Sequence, residues 1–285
     1  MDIKFNPRLR RWMDGNNPDG GVALNKHFSR WNDFLALCLS STDDYTVSLG
    51  YKQRFGKAVS EDDVRHFKAE GFKDLLDECK AHREMYKRKA RRKELLVFVH
   101  PMYVHIMHHA YVEARHFVRE GRDYYRAFKN VLNFTRGADI GMLLMETPQH
   151  YAAVTSLLME QGFATDVVFT RFDNGTLLDE NDAKVMTGTV PYFGGGYNDK
   201  CLGWGIRQAE YVLEGGQKVY VIRDLVVNAP HEKTTKTLIC HDRVAPWHIN
   251  NHAISLDDFM EKMKREKEES RRAVRYLSAS EPALA

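Results

Sequence analysis

Cysteine is scarce and scattered in this 285-residue chain: the four residues Cys38, Cys79, Cys201 and Cys240 include no Cys-x-x-Cys pair. That spacing argues against a disulfide scaffold and against an all-cysteine zinc site. Long apolar runs are missing too. Stretches such as Phe34 to Leu39 and Leu95 to Val99 are too short to cross a bilayer, and the opening MDIKFNPRLRRW lacks the apolar centre of an export signal. The expectation is a cytoplasmic protein that does not enter membranes. Neither sign of charge dominates, with 42 basic and 39 acidic residues for a net charge of +3, so the overall balance neither demands nor excludes a nucleic-acid partner. There is no His-Glu-x-x-His motif and no internal repeat.

What is present reads as a folded domain, with 43% hydrophobic and 28% charged residues. Residues 1–93 carry turn chemistry at Asn16-Asn17-Pro18-Asp19-Gly20-Gly21 and amphipathic pieces around Phe28 to Leu39 and Glu61 to Tyr86, which predicts a mostly helical N-terminal region. Ser60 and Asp63 resemble a capping box ahead of the second piece. From residue 94 to 254 the texture changes. Short β-rich runs at Leu95 to Val99, Ile140 to Met145, Asp166 to Phe172, Val190 to Phe193 and Lys218 to Ile222 alternate with helical patterns at 102–120, 122–135, 149–161 and 198–214. Such alternation predicts crossover units and a Rossmann-like α/β fold with a mainly parallel sheet and flanking helices. Residues 228–253 read as irregular, and 255–285 as a charged helix opened by Ser255 and Asp258 and ending in a disordered tail.

Ligands of open α/β sheets bind outside the carboxyl ends of the strands, so the residues that follow each run are the candidates. They are His100, Glu146, Arg171, Asp173, the turn Gly194-Gly195-Gly196-Tyr197-Asn198, Arg223 and Asp224. Three glycines let backbone amides approach an anion, and Asn198 or Asp199 can cap the helix behind them. The turn matches neither the Gly-x-Gly-x-x-Gly fingerprint nor a Walker loop. Cys201 falls in the first turn of that helix, where the dipole favours thiolate; it serves either as a nucleophile or as a packed core thiol.

The segment GGGYNDKCLGWGIRQAEYVLEGGQKVYVIRDLVV, residues 194–227, resembles the isochorismatase-like cysteine hydrolases. The resemblance implies a strand leading to a glycine turn, a cysteine opening the helix, and a triad of Cys, Asp and Lys for amide or ester hydrolysis. Cys201 matches that cysteine. The first strand, however, ends in Val99-His100-Pro101 with no Asp, and Lys184 lies closer to Cys201 than the pattern asks. A family mechanism would then need a rebuilt triad with His100 or Glu146 as base, or the reaction has been lost.

Two further clusters carry alternatives. On a helix, His105, His109 and His116 fall within about 40° of one another, which would suit a divalent metal such as zinc, with Glu113 or a distant histidine completing the site. Solvent exposure of that stripe would explain it without a metal. The basic stretches at 80–93 and 115–136 offer a footprint for nucleic acid, the second interleaved with Tyr111, Tyr124, Tyr125, Phe128 and Phe134. The plainer reading is that those aromatics pack on the sheet while the arginines stay in water. The leading expectation is an α/β enzyme, acting as a cysteine-dependent hydrolase on a small anionic or nucleotide-like substrate. A noncatalytic nucleic-acid- or protein-binding factor and a metal-dependent hydrolase are the rivals.

Overall fold

The computed structural model of the chain describes residues 61–88, 93–101, 118–138, 140–171, 175–197, 201–213, 218–227 and 252–279. In chain order these form α1 (Glu61–Tyr86), β1 (Glu94–Val99), α2 (Val118–Ala138) and β2 (Gly141–Glu146). A helix in three pieces follows, α3 (Pro148–His150), a π turn (Tyr151–Thr155) and α4 (Ser156–Glu160). Next come β3 (Asp166–Phe169), a 3₁₀ segment (Glu180–Met186), β4 (Val190–Tyr197) and α5 (Gly203–Val212). The described chain closes with β5 (Tyr220–Val227), β6 (Ala253–Ile254) and α6 (Leu256–Ala279).

The six strands make one parallel sheet in the order β3-β2-β1-β4-β5-β6. This is an α/β Rossmann-like fold, as the alternating runs predict. β1, with the sequence ELLVFV, is buried at every position after its first residue, because helices cover both faces of the sheet. On one face Leu95, Val97, Val99, Leu143, Met145 and Phe193 pack against Ile206 and Ala209 of α5 and Met186 of the 3₁₀ segment. On the other, Leu96, Phe98, Leu144 and Tyr192 meet the remaining helices. Phe128 of α2 stands edge-on to Phe98 with ring centroids 4.8 Å apart.

α1 and α6 belong to this second layer. Leu75 and Cys79 of α1, and Phe259 and Met263 of α6, are buried in the same core as β1 and β2. Arg83 of α1 is pinned to Asp166 at the start of β3, Nε to Oδ1 at 2.8 Å, and reaches Asp182 at 3.4 Å. Part of the basic stretch at 80–93 is therefore spent inside the fold. β6 follows a region read as irregular and pairs with β5 through only two residues, Ala253 and Ile254. No helix among the described residues is long and apolar enough to cross a membrane.

The chain builds β1, β2 and β3 outward in one direction and then crosses back to place β4 on the other side of β1. Open α/β sheets bind ligands at such a reversal, which here falls at the carboxyl ends of β1 and β4. Its geometry depends on a glycine. Gly195 has φ +103°, and a Cβ there would lie 2.2 Å from the carbonyl oxygen of Val99. Gly195→Ala therefore combines backbone strain with a collision against β1, and should lower unfolding free energy by about 2 kcal/mol or more in urea denaturation. A loss below about 0.5 kcal/mol would show that β4 can move away from β1 at little cost.

Candidate functional site

At the carboxyl rim, β1 ends in His100, which adopts φ +48° and donates its backbone N–H to the carbonyl of Met145 on β2 at 2.9 Å. A positive φ at a non-glycine residue persists where the surroundings hold it. Here they do: the ring is 1% exposed, with Nε2 2.7 Å from the Thr170 hydroxyl just beyond β3. Thr170 in turn donates its N–H to the carbonyl of Glu146, the last residue of β2, at 2.9 Å. Three adjacent strand ends are thereby laced together.

Glu146 is fully buried. Its Oε1 accepts the N–H of Thr147 at 2.9 Å and lies 3.4 Å from Nδ1 of His150, whereas Oε2 makes no hydrogen bond among the described residues. The sequence Glu146-Thr147-Pro148-Gln149-His150 explains the placement. Thr147 caps the helix start through an N–H···Oγ1 bond from His150 at 3.1 Å, and Pro148 occupies the first turn, where no N–H is required. The helix therefore starts immediately behind β2 and sets His150 one turn from Glu146. The rings of His150 and His100 stand edge-on, 6.3 Å between centroids. Directly after His150 the helix widens into the π turn at Tyr151, a distortion that recurs at functional sites.

Cys201 enters from the opposite face of the sheet, 5% exposed, just ahead of α5. Two glycines bring it there. Gly205, one turn on, sits so close to β1 and β2 that a Cβ would be 3.0 Å from Val99 Cγ2 and 3.4 Å from Met145 Sδ. Gly175, with φ +73°, lies over the cysteine, where a Cβ would fall 2.9 Å from that of Cys201. Tyr124 of α2 is buried beside the end of β1. Burial pushes its phenol pKa well up, and Tyr125, Glu146 and Cys201 add to the shift. Its hydroxyl donates to the carbonyl of Pro101 at 2.9 Å.

The structure thus brings His100, Glu146 and Cys201 to one rim and adds His150, Thr170 and Tyr124. Two other expectations, on the glycines and on Arg223 with Asp224, are corrected. Gly194, Gly195, Gly196 and Tyr197 belong to β4, which runs four residues past Phe193, so the glycines accommodate neighbouring strands instead of forming an open turn. A Cβ on Gly194 would meet Leu225 of β5 at 2.8 Å. Arg223 and Asp224 lie within β5 and serve the sheet edge: Arg223 donates to the carbonyl of Ala253 at 3.0 Å, and Asp224 accepts the N–H of Leu256 at the start of α6 at 2.7 Å. Lys184 is exposed on the 3₁₀ segment and donates to Asn181 Oδ1 at 3.0 Å. Tyr124, Tyr125 and Phe128 are buried core residues, as the plainer reading of the second basic stretch expects.

Arg171 is exposed beyond β3, while Asp173 and Asn198 lie outside the described residues. The same holds for His105, His109 and His116; among the described residues no group of three His, Cys, Asp or Glu side chains is placed to hold a metal ion. Lys89, Arg91, Arg92 and Arg115 from the two basic stretches also fall outside. Comparisons with protein-family models, with curated proteins and with solved structures give no match.

Burial drives the pKa of His100 down from 6.5 to about 4; His150 lowers it further, and Glu146 opposes both. The folded imidazole is therefore neutral at pH 7. Between those two pH values the unfolded chain binds more protons than the folded one, so stability falls as pH drops from 6.5 towards 4. Urea titrations should show about 3 kcal/mol of acid sensitivity in this window that is absent from His100→Gln. Equal acid sensitivity in both proteins would contradict a neutral buried His100.

Proposed function

We propose that this chain is an α/β enzyme, a cysteine-dependent hydrolase acting on a small anionic or nucleotide-like substrate at the carboxyl rim of its sheet. One observation carries the reading. A thiol on one face of the sheet and a carboxyl group and two imidazoles at the strand ends, all at most 5% exposed, lie beside the point where strand order reverses. Hydrophobic residues would fill such a rim more stably unless the polar groups had work to do.

In this reading Cys201 is the nucleophile. The Glu146–His150 pair accepts the thiol proton, with the carboxyl group orienting the ring as an acid orients histidine in other nucleophile–base arrangements. Attack on an acyl carbon forms a C–S bond and expels the leaving group, which takes up the proton from the pair. Water, deprotonated by the same pair, then cleaves the thioester and restores the thiol. His100, neutral and held by Thr170, keeps a second hydrogen-bonding ring beside the reacting groups without adding charge. The family resemblance of residues 194–227 points to the same nucleophile, but the base differs from the Asp and Lys of that pattern.

Alkylation of the native protein by iodoacetamide, resolved by cysteine-containing peptide across pH, tests the assignment. Burial raises the pKa of Cys79 well above that of a free thiol, so it should stay unreactive until the protein unfolds. Cys201 should react in the native state with a midpoint below about 8.5, the value for free cysteine. In His150→Gln that midpoint should rise by about one pH unit. A Cys201 as inert as Cys79, or a midpoint unmoved by His150→Gln, would refute the nucleophile–base pairing.

A further inference from the structure

The outward side of α5 lines an open cleft of about 1150 Å³ that the chemistry above does not use. Small-molecule sites typically occupy about 300–1000 Å³, so the space is ample for one. Leu202, Ile206, Ala209 and Leu213 face the core, which leaves Trp204, Arg207, Gln208 and Tyr211 as a stripe at helical spacing on the cleft side. Arg171 and Thr176 beyond β3 contribute further lining, with Glu180 of the 3₁₀ segment. The two sides are tied together where Leu177 donates its N–H to Gln208 Oε1 at 3.0 Å.

Three features of this lining call for a ligand. Tyr211 is 76% exposed, one of only two large apolar or aromatic side chains so exposed among the described residues. The Arg207 guanidinium lies 5.5 Å from the centre of the Trp204 ring, so a flat aromatic surface and a cationic fork occupy the same place. Among the described residues of the lining, two arginines, Arg171 and Arg207, stand against one acid, Glu180. The geometry points to a ligand that joins a planar ring to a single phosphate, a nucleoside monophosphate, with the ring against Trp204 and Tyr211 and the phosphate taking hydrogen bonds from Arg171 and Arg207. Glu180 disfavours the added negative charge of a triphosphate. The loop that supplies Thr176 and Leu177 to the cleft also sets Gly175 against Cys201, so cleft and thiol share a wall. As the recognition half of the proposed hydrolase site, the cleft rests on that reading and points to acyl derivatives of nucleoside monophosphates as the substrate class, the monophosphate leaving when the thiol attacks the acyl carbon.

Isothermal titration of the full chain with adenosine 5′-monophosphate, adenosine and inorganic phosphate provides the test. The monophosphate should bind at least about tenfold more tightly than either fragment. Arg171→Gln and Arg207→Gln should each weaken it about tenfold, the equivalent of about 1.4 kcal/mol. Tyr211→Ala should weaken both adenosine and the monophosphate while leaving phosphate unchanged. Absence of monophosphate binding, binding no tighter than that of phosphate, or arginine variants that bind as well as the parent would each overturn the assignment. Cys201→Ser should bind the monophosphate normally, which separates the two claims. Monophosphate binding with an inert Cys201 would uphold the cleft and remove the nucleophile; a reactive Cys201 without monophosphate binding would remove the cleft alone.

Discussion

The carboxyl group of Glu146 is taken wholly out of water at the end of a central strand, and one of its oxygens has no hydrogen bond among the described residues. An unsatisfied buried oxygen of this kind costs about 1–3 kcal/mol, a sizeable fraction of the stability of an ordinary domain. The surrounding structure is organised around it. Thr147 both binds the other oxygen and caps the next helix; that helix returns His150 to the carboxyl; Thr170 ties the Glu146 carbonyl to β3 and its own hydroxyl to His100. Polar groups assembled at such expense are what a reactive site requires and what a purely structural sheet end avoids.

Support for this rim comes from elements far from it in sequence. α1 is held against the α3–α4 helix by the contact of His82 Nδ1 with the Tyr151 hydroxyl at 2.7 Å, and the far ring nitrogen of His82 lies 3.2 Å from Glu160. Tyr151 is the first residue of the π turn, immediately after His150, so α1 steadies the backbone that presents His150. At the other end of the sheet Lys262 of α6 lies 5.0 Å from the ring centres of both Tyr192 and Tyr220 and bonds the Tyr192 hydroxyl, fastening α6 over β4 and β5. The layers thus do separate work: α1 and α6 stiffen the sheet, while α5 carries the thiol on one side and the cleft on the other.

Much of the fold was legible because hydrophobic period and length decide strands buried on both faces. The five runs that predict strands are the first five strands, with ends displaced by up to five residues, and Glu61 to Tyr86 is a helix as its amphipathic pattern predicts. β6 escaped because two residues cannot display a period. The candidate site was half legible. His100, Glu146 and Cys201 follow from their positions at strand ends and a helix start. His150 was hidden, although Thr147-Pro148 after a strand is a helix-start signal that places the fourth residue on back over the strand end. The glycines misled for a definite reason: in sequence a glycine demanded by a neighbouring strand is indistinguishable from one demanded by a turn, and only the approach of Gly195 to Val99 separates them.

The most direct test of the rim as a site held for function is the urea unfolding free energy of Glu146→Gln at neutral pH. The variant keeps an acceptor for Thr147 while removing the carboxyl chemistry. If the carboxyl group is retained for function at a cost to the fold, the variant will match the parent within about 1 kcal/mol or exceed it. A loss of more than about 3 kcal/mol would show that Glu146 is a structural keystone, and would contradict the assignment of this rim as an active site.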